Sequence, residues 1–204
     1  MGDMPDNEVI REQIRAEVEK QFPPDVDEKY KKQLEDISYK VLAQGMTRAE
    51  AMGLDQAKIE IAYADAYTKF RSGKYKEAIQ IFGSLANICP EDARFPFAAA
   101  ACYHHQKKYE EAAGYYLICT RIEPDNPIPY FHLFDCFMQQ DQLETAWWMI
   151  HCTINLSGDD PLFAEMKTRA ELEEKHLASL VMQPDRMEKR RQLIPKEYLY
   201  GENL

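Results

Sequence analysis

The sequence has 204 residues, 45% of them hydrophobic, and a formal net charge of −10 at pH 7. The hydrophobic content allows a packed core, and 8 Gly with 11 Pro argue against a low-complexity or collagen-like chain. The negative charge disfavours nucleic acid as a partner, because binding it depends on Lys and Arg that neutralise phosphates. Five Cys without a CxxC pair argue against a disulfide framework or a zinc ribbon. No apolar run is long enough to span a membrane, so no stable membrane insertion is expected.

Residues 1–26 predict a short amphipathic helix. Its apolar side chains recur every four residues between charged ones and form a narrow stripe of Ile10, Ile14, Val18 and Phe22. A helix this short is marginally stable alone and needs a surface to pack against. Two surfaces remain open: a second copy, which makes the stripe a dimerisation element, or the chain's own repeats.

Residues 27–58 predict lead-in helices. One helix is expected from Asp27 to Gln44, where Gly45 supplies the left-handed residue that ends helices. The segment from Thr47 to Glu50 has the pattern of a capping box that opens a short turn. Asp55 is then the predicted N-cap of the next long helix.

Residues 59–160 repeat with a period of 34 residues. At this spacing Ala78 aligns with Ala112 and Ala146, and the residues four positions later are large and apolar: Phe82, Tyr116 and Ile150. Alanine at such a position allows two antiparallel helices to cross closely. The pattern predicts an all-α fold with three tandem tetratricopeptide helix–turn–helix repeats, at about 59–92, 93–126 and 127–160, that form a curved superhelix.

The first helix of each repeat should line the inner face of this superhelix. Side chains at helical spacing on that face predict a partner-binding groove formed by Tyr63, Tyr67, Phe70, Phe97, His104, Phe131 and Met138. Such a groove suits an extended apolar peptide. A cationic clamp for an acidic C-terminal peptide is not expected, because Arg94 is the one cation near the corresponding positions.

Two segments follow the repeats. Residues 161–183 predict a capping helix that covers the last repeat, with apolar side chains at Leu162, Phe163, Met166, Ala170, Leu177 and Leu180. Residues 184–204 form a C-terminal tail that is either disordered or docked on the protein.

The only cluster that suggests chemistry is Cys102-Tyr-His104-His105. Adjacent helical residues point to different faces, so the two histidines are not expected to bind one metal ion. No acid that could orient a Cys–His pair and no glycine-rich phosphate loop accompanies them. We therefore expect no catalytic residues, no metal and no cofactor.

The segment Tyr63-Ala-x-Ala-Tyr67-x-x-Phe70-x-x-Gly73-Lys-Tyr75-x-x-Ala78 resembles the opening of the class II type III secretion chaperones. The similarity continues through Tyr109-Glu-Glu-Ala112 and covers about 45–160. It implies a chaperone of the bacterial cytoplasm that self-associates through its N-terminal helices. It also implies that secreted translocator proteins place an extended segment in the groove. The alternative is a general tetratricopeptide scaffold that joins the subunits of another assembly.

Overall fold

The computed structural model describes residues 7–23 and 25–181 of the chain. Within these residues all regular structure is helical, in agreement with the predicted fold class. The helices are α1 (Asn7–Gln21), α2 (Glu28–Gln44), α3 (Arg48–Ala51), α4 (Gln56–Arg71), α5 (Tyr75–Ile88), α6 (Arg94–His105), α7 (Tyr109–Ile122), α8 (Pro127–Gln139), α9 (Leu143–Ser157) and α10 (Ala164–Val181). The predicted tail at 184–204 lies outside the described residues.

Three antiparallel hairpins form the body of the protein: α4 with α5, α6 with α7, and α8 with α9. From α4 to α10 each helix packs on the next one in the chain. This nearest-neighbour stacking is the arrangement that the tetratricopeptide period predicts.

The starts and stops read from the sequence are confirmed at three places. Gly45 has a φ of 68° and ends α2 in the left-handed conformation. Thr47 and Glu50 form both hydrogen bonds of a capping box at the start of α3. The Asp55 side chain accepts a hydrogen bond from the Lys58 amide, and α4 therefore begins at Gln56 rather than at residue 59.

The alanines that define the period lie where the hairpins cross. Ala78, Ala112 and Ala146 are completely buried. Their small side chains allow the two helices of each hairpin to cross closely, and a larger side chain would hold the helices apart. The turn inside each hairpin also repeats: its left-handed residue is Gly73, then Lys107 and Asp141. Only Gly73 adopts that conformation without a steric penalty, so the later two turns depend on the packing of their helices.

A helix covers the C-terminal end of the stack, whereas at the N-terminal end α3 packs on the first hairpin through Ala49. At the N-terminal end α1 packs on α2, and α2 contacts α3. At the C-terminal end Ala170 and Leu177 of α10 are fully buried in one cluster with Phe134 and Ile150, as expected for a capping helix. The expected contribution of Leu162 is wrong: its side chain is 79% exposed, because 161–163 form a 3-10 turn that precedes α10.

Candidate peptide-binding groove

A cavity of about 440 Å³ opens along the first helices of the three hairpins. Four of the predicted groove residues line it, namely Tyr63, Tyr67, Phe70 and Phe97. Ala98 and Ala101 of α6 and Ile128 and Pro129 of α8 complete a largely apolar wall. Because α4, α6 and α8 all contribute, the inner face of the stack carries this first cavity.

The three aromatic side chains of α4 do not have equal roles. Tyr63 packs into the core, with its ring centroid 5.7 Å from that of Phe82 and 5.8 Å from that of Phe95. Phe70 lies against Tyr75 and His105. Tyr67 stacks on Tyr63 at 6.4 Å and is 47% exposed, so it offers the largest free aromatic surface of the three.

Arg94 lies at the edge of the first cavity, and its charge is already matched. Its guanidinium is 2.7 Å from Asp92 and 3.0 Å from Glu60. The hydrogen bonds from Arg94 lower the pKa of both carboxyl groups and raise the pKa of the guanidinium. Arg94 therefore has little capacity left to bind a carboxylate.

A second cavity, of about 360 Å³, lies further along the same face. The other predicted groove residues line it: His104, Phe131 and Met138. Its chemistry is mixed, because Nε2 of His104 is 2.7 Å from a carboxylate oxygen of Asp135. Arg169 and Glu173 of α10 also line this cavity. Neither residue was expected from the sequence, since nothing in the repeat period indicates which face of the capping helix meets the groove.

The seven predicted side chains thus form two adjoining cavities rather than one continuous strip. Phe97 of the first cavity meets His132 of the second edge to face, with ring centroids 5.4 Å apart. His132 also stacks on Tyr116 at 5.0 Å. Burial, and to a smaller degree the nearby His104, lower the pKa of His132 to about 4. His132 is therefore neutral near pH 7 and acts as an aromatic ring.

The helix places the side chains of Cys102, His104 and His105 in three different environments. His104 faces Asp135, whereas His105 stacks on Tyr75 beside Phe70. Cys102 is fully buried, and this burial raises the pKa of its thiol to about 11. Among the described residues no group of three or more His, Cys, Asp or Glu could hold a metal ion.

The predicted dimerisation stripe lies on the inner side of the α1–α2 hairpin. Ile14 and Val18 are buried against Tyr39 of α2, and Ile10 and Phe22 are half-buried in the same cluster. The partner surface of the stripe is therefore α2, neither the repeats nor a free face. A second copy could reach the stripe only if the hairpin opened. Within the described chain no helix is long and apolar enough to cross a membrane.

These features define a tetratricopeptide-type repeat protein with a largely apolar groove along the first helices of its hairpins. The family model described as "Anaphase-promoting complex, cyclosome, subunit 3" matches residues 46–118, which is just over a third of the chain. The match covers the lead-in turn, the first hairpin and most of the second, so it supports the repeat fold.

The chain is also similar to a particular class of these proteins. Low calcium response locus protein H of Yersinia pseudotuberculosis is 28% identical over 128 residues, which are 63% of this chain and 76% of that protein. The type III secretion translocator chaperone SycD of Yersinia enterocolitica is 26% identical, with a TM-score of 0.60 over 65% of this chain and 98% of its own. SycD has also been solved with a peptide of the translocator YopD (25% identical, TM-score 0.58, covering 61% and 95%) and in an alternative dimer. The resemblance to the translocator chaperones is therefore confirmed.

Proposed function

We propose that this protein is a chaperone for apolar translocator proteins of a type III secretion system. Its groove holds an extended segment of the cargo in the bacterial cytoplasm and prevents aggregation and premature folding before export. The observation that carries the proposal is the first cavity, whose wall is largely aromatic and aliphatic and whose Arg94 is neutralised by Asp92 and Glu60.

The chemistry of the cavity fits such a cargo. Translocators contain apolar segments, and apolar side chains at short intervals along an extended peptide can enter the spaces between neighbouring rings. Binding then lowers the concentration of free, aggregation-prone chain by mass action. This role requires binding alone, and the similar translocator chaperones are likewise binding proteins.

We further propose that the chaperone is a homodimer whose N-terminal helices take part in self-association. Support comes from SycD, for which a dimer has been described. Because the Ile14 and Val18 side chains already pack on α2, the unit offered to a second copy is the α1–α2 hairpin rather than the stripe itself.

Purification of the tagged full-length chain from its native host, followed by mass spectrometry, tests the cargo class. We expect one or two large secreted proteins with apolar segments. Recovery of stable cytosolic complex subunits would instead support the function of a tetratricopeptide scaffold.

Reconstitution tests the site. Each candidate translocator is co-expressed with the wild-type chain, with Tyr67→Ala, or with the control Ile61→Ala. Ile61 lies on the same helix and is 70% exposed, but it does not line the groove. The wild type and the control should keep the translocator soluble, and Tyr67→Ala should not. Equal solubility with all three chains would place the cargo site elsewhere.

A further inference from the structure

The second cavity contains a hydrogen-bond donor and an acceptor that no residue of the described chain satisfies. The guanidinium of Arg169 lies over the ring of Phe131, with its central carbon 5.2 Å from the ring centroid, and it forms no ion pair with any described residue. Glu173 is one helical turn further along α10 and also lines the cavity. The structure shows no hydrogen bond or ion pair of the Glu173 carboxylate within 7–23 and 25–181.

The other charged groups of the groove differ in this respect. Arg94 is held by two carboxylates, and Asp135 is held by His104. Salt bridges between residues four apart are common on helices, yet Arg169 lies over Phe131, and Glu173 has no ion pair among residues 7–23 and 25–181. The donor and the acceptor are therefore presented separately to whatever enters the cavity.

Charge and desolvation restrict what can enter. A lysine or arginine side chain would satisfy Glu173 but meet the positive charge of Arg169, and an aspartate or glutamate would satisfy Arg169 but meet Glu173 and Asp135. A purely apolar side chain would cover both charged groups without offering either one a hydrogen bond, which is unfavourable. A neutral group with its own acceptor and donor satisfies both, and the amide is that group in a polypeptide.

We propose that the second cavity binds an amide group of the cargo segment. Arg169 donates to the amide oxygen, and Glu173 accepts from the amide N–H. The amide comes either from an asparagine or glutamine side chain or from the main chain of the segment. This inference rests on the proposed function, and it makes the groove a two-part site: the first cavity binds apolar side chains and the second binds a polar group at the α10 end.

Selection from a phage-displayed library of random dodecapeptides against the full-length chain tests this site without knowledge of the natural cargo. We expect bound peptides to carry apolar residues for the first cavity. Asparagine or glutamine enriched at a constant distance from these residues would identify the side-chain source. Apolar enrichment without that preference, together with a loss of affinity in Arg169→Met for every selected peptide, would identify the main-chain source.

Variants and matched controls separate the outcomes. Arg169→Met keeps an unbranched side chain over Phe131 but removes the donors, and Glu173→Met removes the acceptor. Each should weaken a selected peptide about tenfold in fluorescence anisotropy. Glu171→Met should not remove the polar preference, because Glu171 lies on α10 outside the second cavity.

Three results would overturn the inference. Affinity unchanged in both Arg169→Met and Glu173→Met, with apolar enrichment intact, would remove the amide site and leave the chaperone function standing. Enrichment of charged residues at the second position would show that the cavity binds another group. A library that yields no apolar-enriched peptides would overturn the amide site and the proposed function together.

Discussion

Replacement of Tyr67 by alanine separates cargo binding from folding. Tyr67 is 47% exposed. Because an aromatic side chain has a surface of roughly 150–250 Å², roughly 100 Å² of the Tyr67 side chain remains for a ligand to cover. At about 25 cal/mol per Å², covering most of that surface contributes about 2 kcal/mol to binding. The expected loss of affinity in Tyr67→Ala is therefore about 30-fold.

Tyr63→Ala is the informative comparison, because Tyr63 lies in the same aromatic row but also packs on Phe82 and Phe95. Its removal should lower the free energy of unfolding by about 2–4 kcal/mol, whereas Tyr67→Ala should cost less than about 1 kcal/mol. Replacement of both tyrosines together would therefore lower stability and affinity at once and would not separate the two losses.

Two measurements on each variant complete the test. Urea unfolding followed by circular dichroism gives the free energy of unfolding, and fluorescence anisotropy with a selected peptide gives the affinity. Ile61→Ala serves as the exposed control on the same helix. Wild-type affinity in Tyr67→Ala would show that the Tyr67 ring does not contact the cargo. A loss of stability as large as that of Tyr63→Ala would show that Tyr67 is a packing residue.

Four further predictions follow from individual positions. Ala112→Asp places a charge in a completely buried site and should destabilise the fold by about 3 kcal/mol or more; a thermal melt like that of the wild type would contradict the hairpin assignment. Gly114→Ala should raise the free energy of unfolding by roughly 0.5–1 kcal/mol, because an added Cβ meets no atom within 4 Å and alanine favours the helix. Chemical denaturation measures this change, and a lower free energy of unfolding in the variant would contradict it. His132 has a pKa near 4 in the folded protein and about 6.5 when unfolded, so below about pH 6.5 the unfolded state binds more protons. The free energy of unfolding should therefore fall by about 1–2 kcal/mol between roughly pH 7 and pH 5, and His132→Phe should reduce this slope. Ile14→Asp should open the α1–α2 hairpin and shift the sedimentation coefficient towards the monomer, whereas Val9→Asp, on the exposed side of α1, should not; an unchanged dimer in Ile14→Asp would exclude the hairpin from the interface.

Several features of the fold could be read from the sequence because they depend on short-range chemistry. The period of 34 residues places a small residue at each helix crossing, and Ala78, Ala112 and Ala146 are all completely buried. The helix boundaries at Gly45 and Asp55 follow from local hydrogen bonds and backbone conformation, which need no tertiary contact.

The site was only partly predictable for the same reason. A helical spacing of four and three shows that Tyr63, Tyr67 and Phe70 share one face. It does not show that Phe82 and Phe95 bury part of Tyr63 and leave Tyr67 exposed. The degree to which a groove side chain is free for a ligand depends on neighbours far away in the chain.

The sequence by itself determined the all-α repeat architecture, the helix face on which the groove residues lie and the resemblance to the translocator chaperones. Each of these depends on residues that recur at a regular interval. Only the tertiary structure decided that α1 packs on α2 and that Phe97 and His132 divide the groove into two cavities. It alone brought Arg169 and Glu173 to the second cavity. The α10 helix lies outside the repeats, so its orientation is set by how Ala170 and Leu177 pack on the last hairpin, and that packing has no counterpart in the repeat pattern.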